Sequence, residues 1–349
     1  MSIAVILLSL VGLVSLFIYK KPKVSLFPFI VSITFYIWCT FGYFYSEDQA
    51  EALRKIVLKL PLLTLPLAYY SFIQLSSKQK ALVILIFCIA IYLPAAVSCI
   101  NYFTNKTFFD MMVLHSKPIP VEFGYGIHHI EFAVLSAIAV ISGLYYCVFS
   151  DKYKSKVIRI LFIFLTVSNF IFMHILSART GLIALYAAVF TGMMMFVFKS
   201  KKTKIGIIAI GLFIVVPVAA YFLSGSLRNR VENTYRDLEV VIQKKDANEH
   251  SFAMRVDAWL TASDIIKQHP VAGVGIGDGG TEMQKQYVKN NSRLSVYNRK
   301  NPHNQFIECA VQSGLVAAGL LLLLILSPLF YRRWNRDILL VSSLILFLV

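Results

Sequence analysis

Two arginines and a histidine stand in motifs whose residue types could do chemistry. Arg179 lies in HILSARTGLIALY, Arg255 in SFAMRVDAWLTASDII and His303 in NPHNQFIECAVQSG. A guanidinium flanked by apolar sequence is costly in lipid, so Arg179 is expected to face the bundle interior or an aqueous cavity and to bind an anion. The competing reading is an interfacial arginine that snorkels to headgroups; the small neighbours Ser177, Thr180 and Gly181 favour room for a ligand. Arg255 is placed to reach a phosphate at the membrane surface, against the alternative of a solvated arginine. His303 follows Pro302 at a helix start, where a neutral imidazole can take a proton from a hydroxyl, or be no more than a satisfied interfacial histidine. Asn304 and Glu308, four apart on one helical face, are placed with the arginines as binding candidates, and Glu308 needs a partner so near the membrane.

The elements that must position these groups are helices. Of the 349 residues 58% are hydrophobic and only 15% charged, which implies an integral membrane protein. Apolar runs near the 20 residues a bilayer requires fall at about 2–19, 24–45, 56–75, 81–101, 128–149, 157–177, 179–198, 205–224 and 304–330, with a further run from Ile338 to Val349. The expected fold is an all-α polytopic bundle of about ten helices with a helical extracytoplasmic segment. Residues 1–226 form the bundle, 227–303 a large periplasmic loop and 304–349 the C-terminal helices. The first run has no basic n-region and no cleavage site, so it reads as a span. The last is too short to cross, so the chain is expected to be cut at the C-terminus or at both ends.

Within the long polar segment, 251–268 predicts an amphipathic helix ended by His269–Pro270. Its apolar face would be Phe252, Val256, Trp259, Ser263 and Ile266, lying on the membrane surface or the bundle mouth. GVGIGDGG, next in the chain, predicts a tight turn, with a phosphate cradled by backbone amides as the secondary role. No strand precedes it, which argues against a nucleotide loop.

The net charge of +16 is carried largely by the short basic loops 19–23, 76–80, 150–159, 199–204 and 331–336, which predict the cytoplasmic side and argue against nucleic acid as a partner. The loops 46–55, 105–129, around Ser177 and 225–302 then face outward, and with them Arg179, Arg255 and His303, which are expected to converge. The five cysteines form no CxxC pair and predict core positions, without disulfide or zinc. His128, His129 and Glu131 carry ligand-type side chains, but adjacent histidines on a helix diverge by about 100°. No metal or cofactor is expected. His115, Lys117 and Glu122 could touch a glycan or a headgroup, or form a solvated loop.

LSARTGLIAL, then Arg255 with Trp259 and Ala262, then HPVAGVGIG, then PHNQFIECAVQSGL, in that order, resemble the O-antigen ligase and polymerase superfamily of bacterial membrane glycosyltransferases; YSEDQAEALRKIVLKLPLLTLPLAY resembles another recurrent stretch of it. The resemblance implies a metal-independent enzyme that moves a glycan from a polyprenyl-pyrophosphate carrier, on the outer face of the bacterial inner membrane, to an acceptor hydroxyl. That hydroxyl belongs to a lipid A-core sugar in ligases, a glycan in polymerases or a protein in oligosaccharyltransferases. By motif, His303 would be the base, with Arg255 and Arg179 on the diphosphate. A lipid-linked glycan transporter is the non-enzyme alternative, which would call for internal repeats and charged mid-membrane breaks that the sequence does not display. A scaffold docking a partner through its outer segment would have no need of these arginines and this histidine.

Overall fold

The computed structural model describes residues 27–65, 76–114, 117–121, 129–149, 156–176, 179–200, 203–243, 245–248, 250–330 and 337–348, with a few isolated positions before residue 15. Its principal helices are α1 (Phe27–Phe41), α2 (Gln49–Lys59), α3 (Ser77–Thr104), α4 (Lys106–Leu114), α5 (His129–Phe149), α6 (Lys156–Leu176) and α7 (Arg179–Ser200). They continue with α8 (Thr203–Leu223), α9 (Gly225–Ile242), α10 (Ser251–Gln268), α11 (Gly279–Lys289), α12 (Gln305–Leu326) and α13 (Ile338–Leu348). No strand occurs among the described residues. Among the described residues, six stretches are long and apolar enough to cross a membrane: Phe27–Tyr45, Lys78–Thr104, His129–Cys147, Lys156–Leu176, Arg179–Phe198 and Gln305–Phe330. Phe213–Leu223 and Ile338–Phe347 are shorter apolar helices. The chain is thus an all-α, multi-pass membrane protein. Apart from those isolated positions, the predicted span 2–19 lies outside the described residues, as do residues 66–75 of the span at 56–75.

The chain forms two compact units, one from residues 1–74 and 236–331, the other from 75–235 and 332–349. In the second unit, α3 opens with a capping box: the Ser76 hydroxyl accepts from the Gln79 amide, and the Gln79 side chain accepts from the Ser76 amide. At about 1.5 Å per residue this helix exceeds the roughly 30 Å of bilayer hydrocarbon. Val83, Ile86, Leu93 and Ile100 are exposed along it, as suits a surface solvated by lipid. Helices α5, α6 and α7 pack closely through small residues. A Cβ at Gly143 of α5 would overlap the Thr166 hydroxyl of α6, and one at Gly181 of α7 would overlap Ala133 of α5. The smallness of Gly181, expected to make room for a ligand beside Arg179, serves helix packing instead.

In the first unit, α12 is broken at Gly314, whose φ of 80° lies in the left-handed region. Residues 269–278 dock into that break by backbone hydrogen bonds. The Val274 amide donates to the Val311 carbonyl (2.9 Å), Gly275 to Gln312 (3.1 Å), and Leu315 to Pro270 (2.8 Å). The break also exposes the Ser313 carbonyl, which accepts from the Trp38 indole of α1 at 2.9 Å. Asp278 pins the entry to α2 by accepting from the amides of Glu47 and Asp48 at 2.8 and 2.9 Å. The glycine run is therefore a structural dock. The amides of Gly273, Val274, Gly275, Gly277 and Asp278 are all engaged by protein acceptors, which removes them as a phosphate cradle.

Helix α10 spans the predicted residues 251–268, but its most buried face is another one. Ala253, Ala258, Thr261, Ala262 and Ile265 are buried, while Phe252, Val256, Trp259, Ser263 and Ile266 are half-buried. Alanines count little on a hydropathy scale, yet they let a neighbouring helix approach, and this face packs on Met283, Tyr287 and Val311 of α11 and α12. Cys39, Cys88, Cys99 and Cys309 are buried free thiols, and Cys147 is half-buried, in keeping with core roles.

Candidate functional site

His303 is exposed, has a φ of 51°, and immediately precedes α12. A non-glycine residue in the left-handed region stores strain that the surroundings must hold, and histidine is among the few types enriched there. The chain leading to it is pinned at three carbonyls. Gln284 donates to Arg299 (2.7 Å), the Tyr287 hydroxyl to Lys300 (2.9 Å) and the Trp259 indole to Pro302 (2.7 Å). Tyr287 and Pro302 are among the most completely buried residues of the chain. On the far side of His303, the Asn304 side-chain oxygen accepts from the amides of Phe306 (3.0 Å) and Ile307 (3.1 Å) and so caps α12.

Arg255 is half-buried on α10, one turn before Trp259 and on the same face. The Phe252 ring meets Trp259 edge-on, with centroids 6.4 Å apart. The start of the helix is fixed by Asp237, which is 1% exposed; one of its oxygens bonds Nδ1 of His250 (2.9 Å) and the other accepts from the Phe252 amide (2.8 Å). Trp259 thereby ties the helix that carries Arg255 to the residue before His303. That link joins two of the three sequence candidates within one unit.

Glu308 has the partners its position required. Its carboxylate accepts from Gln312 Nε2 at 2.8 Å, and the Lys55 ammonium of α2 acts on it electrostatically. Burial holds Lys55 below the usual lysine range, against the opposing pull of Glu51 and Glu308. Lys55 escaped the sequence reading because SEDQAEALRK looks like a solvated loop; its i,i+4 spacing to Glu51 was the available signal.

Arg179 is the first residue of α7 and belongs to the second unit. It has a neighbour that sequence reasoning missed, Arg230 of α9, which is only 8% exposed. The same unit holds a mainly apolar cleft of about 430 Å³, lined in part by Tyr102, Phe170, Val215 and Leu223, with Lys106 and His174 as its cationic-type side chains. His115, Glu122, His128 and Ser177 lie outside the described residues. Among the described residues, no three His, Cys, Asp or Glu side chains are grouped to hold a metal ion.

Apolar spanning helices and a polar helical segment presenting a strained histidine define the class: a multi-pass membrane protein with candidate chemistry outside its spans. Residues 161–324 match the family described as O-antigen ligase. The matched stretch contains Arg179, Arg230, Arg255, His303, Asn304 and Glu308. A Haemophilus influenzae protein described as uncharacterized is 29% identical over 224 residues, covering 62% of this chain and 53% of its own length. The chain thus spans about half the length of that curated relative.

Proposed function

We propose that the protein transfers a glycan from a polyprenyl-pyrophosphate carrier to an acceptor hydroxyl, a lipid A-core sugar, at the periplasmic face of the bacterial inner membrane. The observation that carries this reading is the Trp259–Pro302 hydrogen bond, which ties the Arg255 helix to His303. In the proposed step the His303 imidazole takes the hydroxyl proton as the acceptor oxygen bonds to the anomeric carbon. The bond from that carbon to the diphosphate oxygen breaks, and the diphosphate leaves with its electrons. Arg255 binds the leaving diphosphate, whose charge rises in the transition state and is better met by a fixed guanidinium than by water. Arg179, in the second unit, is proposed as a phosphate-binding cation. Asn304 shapes the site by capping α12, and Glu308 stands behind it as a substrate-facing or orienting carboxylate. The diphosphate is already a good leaving group, so the step needs neither metal nor cofactor. The apolar cleft in the second unit is of a size and polarity to take part of an isoprenoid chain.

Two substitutions test the roles. Arg255→Lys is expected to reduce transfer nearly as much as Arg255→Ala, because an ammonium cannot reproduce a bidentate contact; full activity in the lysine variant would reduce Arg255 to simple charge attraction. Trp259→Phe keeps the ring against Phe252 but loses the donor to Pro302. It is expected to lower the unfolding free energy by only about 1 kcal/mol, yet to lower transfer by up to about a hundredfold by letting His303 shift. Thermal unfolding and turnover measured on one preparation separate the two effects. Acceptor class is read by deleting the gene and resolving surface glycolipids on a gel: loss of all long chains from the core fits a ligase, and single repeats left on the core fit a polymerase.

A further inference from the structure

His250 has no part in the proposed step, yet it is held as an oriented hydrogen-bond acceptor is held. It immediately precedes α10, and its side chain is 31% exposed, while the Asp237 carboxylate it meets is 1% exposed. Its Nδ1 lies 2.9 Å from one Asp237 oxygen. A carboxylate accepts and does not donate, so Nδ1 carries the hydrogen and the neutral ring keeps its lone pair on Nε2, at the edge turned away from Asp237. Capping α10 requires only the other Asp237 oxygen, which accepts from the Phe252 amide. The grip on His250 is additional, and it fixes the tautomer and direction of an imidazole that reaches solvent.

A second feature lies beside this histidine. Asn248, two residues earlier, holds the 293–298 loop at three points. Its Nδ2 donates to the Arg293 carbonyl (3.2 Å), its Oδ1 accepts from the Ser295 amide (2.7 Å), and its carbonyl and Oδ1 both accept from Asn298 Nδ2 (2.8 and 3.0 Å). Arg299 Nε closes the loop on the Leu294 carbonyl at 3.0 Å. The braced loop carries Tyr297 at 92% exposure and Val296 at 69%. An aromatic side chain on backbone already ordered by hydrogen bonds loses little further freedom when something binds it. Both features adjoin the proposed chemistry: the loop runs on to His303, and Arg255 follows His250 by five residues, about 7.5 Å along the axis of α10.

We propose that His250 and Tyr297 form a sugar-binding subsite, in which a sugar hydroxyl donates to His250 Nε2 and the C–H face of a sugar ring stacks on Tyr297. A sugar carries hydroxyl donors around its edge and C–H groups on its faces, and the latter suit the negative face of an aromatic ring. An ionised diphosphate has no hydrogen to give to Nε2, and a hydrocarbon chain has no hydroxyl, so the pair selects the glycan part of a glycolipid. The source of that sugar, donor glycan or acceptor glycan, rests on the glycosyltransferase reading.

The test uses the full chain in nanodiscs and three probes: the polyprenyl-diphosphate glycan and the acceptor glycolipid extracted from the cells that make this protein, and polyprenyl diphosphate without sugar. His250→Asn keeps a side-chain N–H where Nδ1 stands, and with it the bond to Asp237, but lacks Nε2. It is expected to bind one glycan-bearing probe about tenfold more weakly, at an unchanged unfolding temperature and with unchanged affinity for the sugar-free lipid. Tyr297→Ala is expected to weaken the same probe several-fold and Tyr297→Phe to leave it as in wild type. A loss confined to the donor assigns the sugar to the donor, and a loss confined to the acceptor assigns it there; either supports the subsite. Unchanged affinity for both glycan-bearing probes in His250→Asn and Tyr297→Ala, or an equal weakening of the sugar-free lipid, overturns it. If His250→Asn does not fold, the surface variant Tyr297→Ala decides by the same criteria. Sugar-dependent binding that these variants lose, in a protein that transfers no glycan, would leave the subsite standing and remove the transfer reading. Transfer that proceeds with unchanged glycan affinity in both variants would remove the subsite alone.

Discussion

Replacing His303 by alanine is expected to lower glycan transfer about a thousandfold, roughly 4 kcal/mol of barrier, while insertion into the membrane stays normal. The magnitude follows from the loss of the group proposed to take the acceptor proton. His303→Gly sharpens the test. The backbone at this position has a φ of 51°, which glycine adopts without strain, so the glycine variant is expected to fold as well as wild type or about 1 kcal/mol better. It lacks the imidazole and is expected to be as inactive as the alanine variant. A residue kept only for structure would move activity and stability in the same direction. Transfer by both variants is measured against protein recovered from the membrane fraction, so that lost expression is not read as lost catalysis.

The second large effect is on folding. Gly314→Ala is expected to destabilise the first unit by about 3 kcal/mol or more, because two penalties fall on one residue. The φ of 80° is unfavourable for any residue with a Cβ, and that Cβ would overlap the Val271 carbonyl in the docked loop. Relief would require the loop to leave α12, which would break the hydrogen bonds from Val274, Gly275 and Leu315 together. Serine substituted at the half-buried Gly280, where an added Cβ would meet nothing within 4 Å, provides the control and is expected to change stability by less than about 1 kcal/mol. Thermal unfolding in detergent, followed by tryptophan emission, reads both, since Trp38 bonds the Ser313 carbonyl at the break.

What the sequence disclosed and what it withheld divide along physical lines. The boundaries of α10 were legible because Pro270 forbids continuation and restricts His269 before it. Its packing face was not, because the burial is by alanines whose partners lie in α11 and α12. HPVAGVGIG and the QSG of α12 were both visible as motifs, but nothing local says that one is the receptor for the other some forty residues away. The same holds for Trp259, whose meaning depends on the carbonyl of Pro302. Arg230 was hidden for a different reason. Ser226, Arg230, Asn233 and Asp237 are buried at helical spacing, so the period was present, but polar residues at that period read as the solvent side of a helix. A buried polar stripe is the pattern that hydropathy alone reverses.

The central claim is that this bundle joins a glycan to a hydroxyl and releases a polyprenyl diphosphate. The direct measurement is reconstitution of the purified chain in proteoliposomes with a polyprenyl-diphosphate glycan and a hydroxyl acceptor, counting glycan joined and lipid diphosphate released. The two are expected to rise one for one with wild type and to stay at background with His303→Ala. Passage of the glycan-lipid across the bilayer without joining, or joining that persists in His303→Ala, would contradict the account.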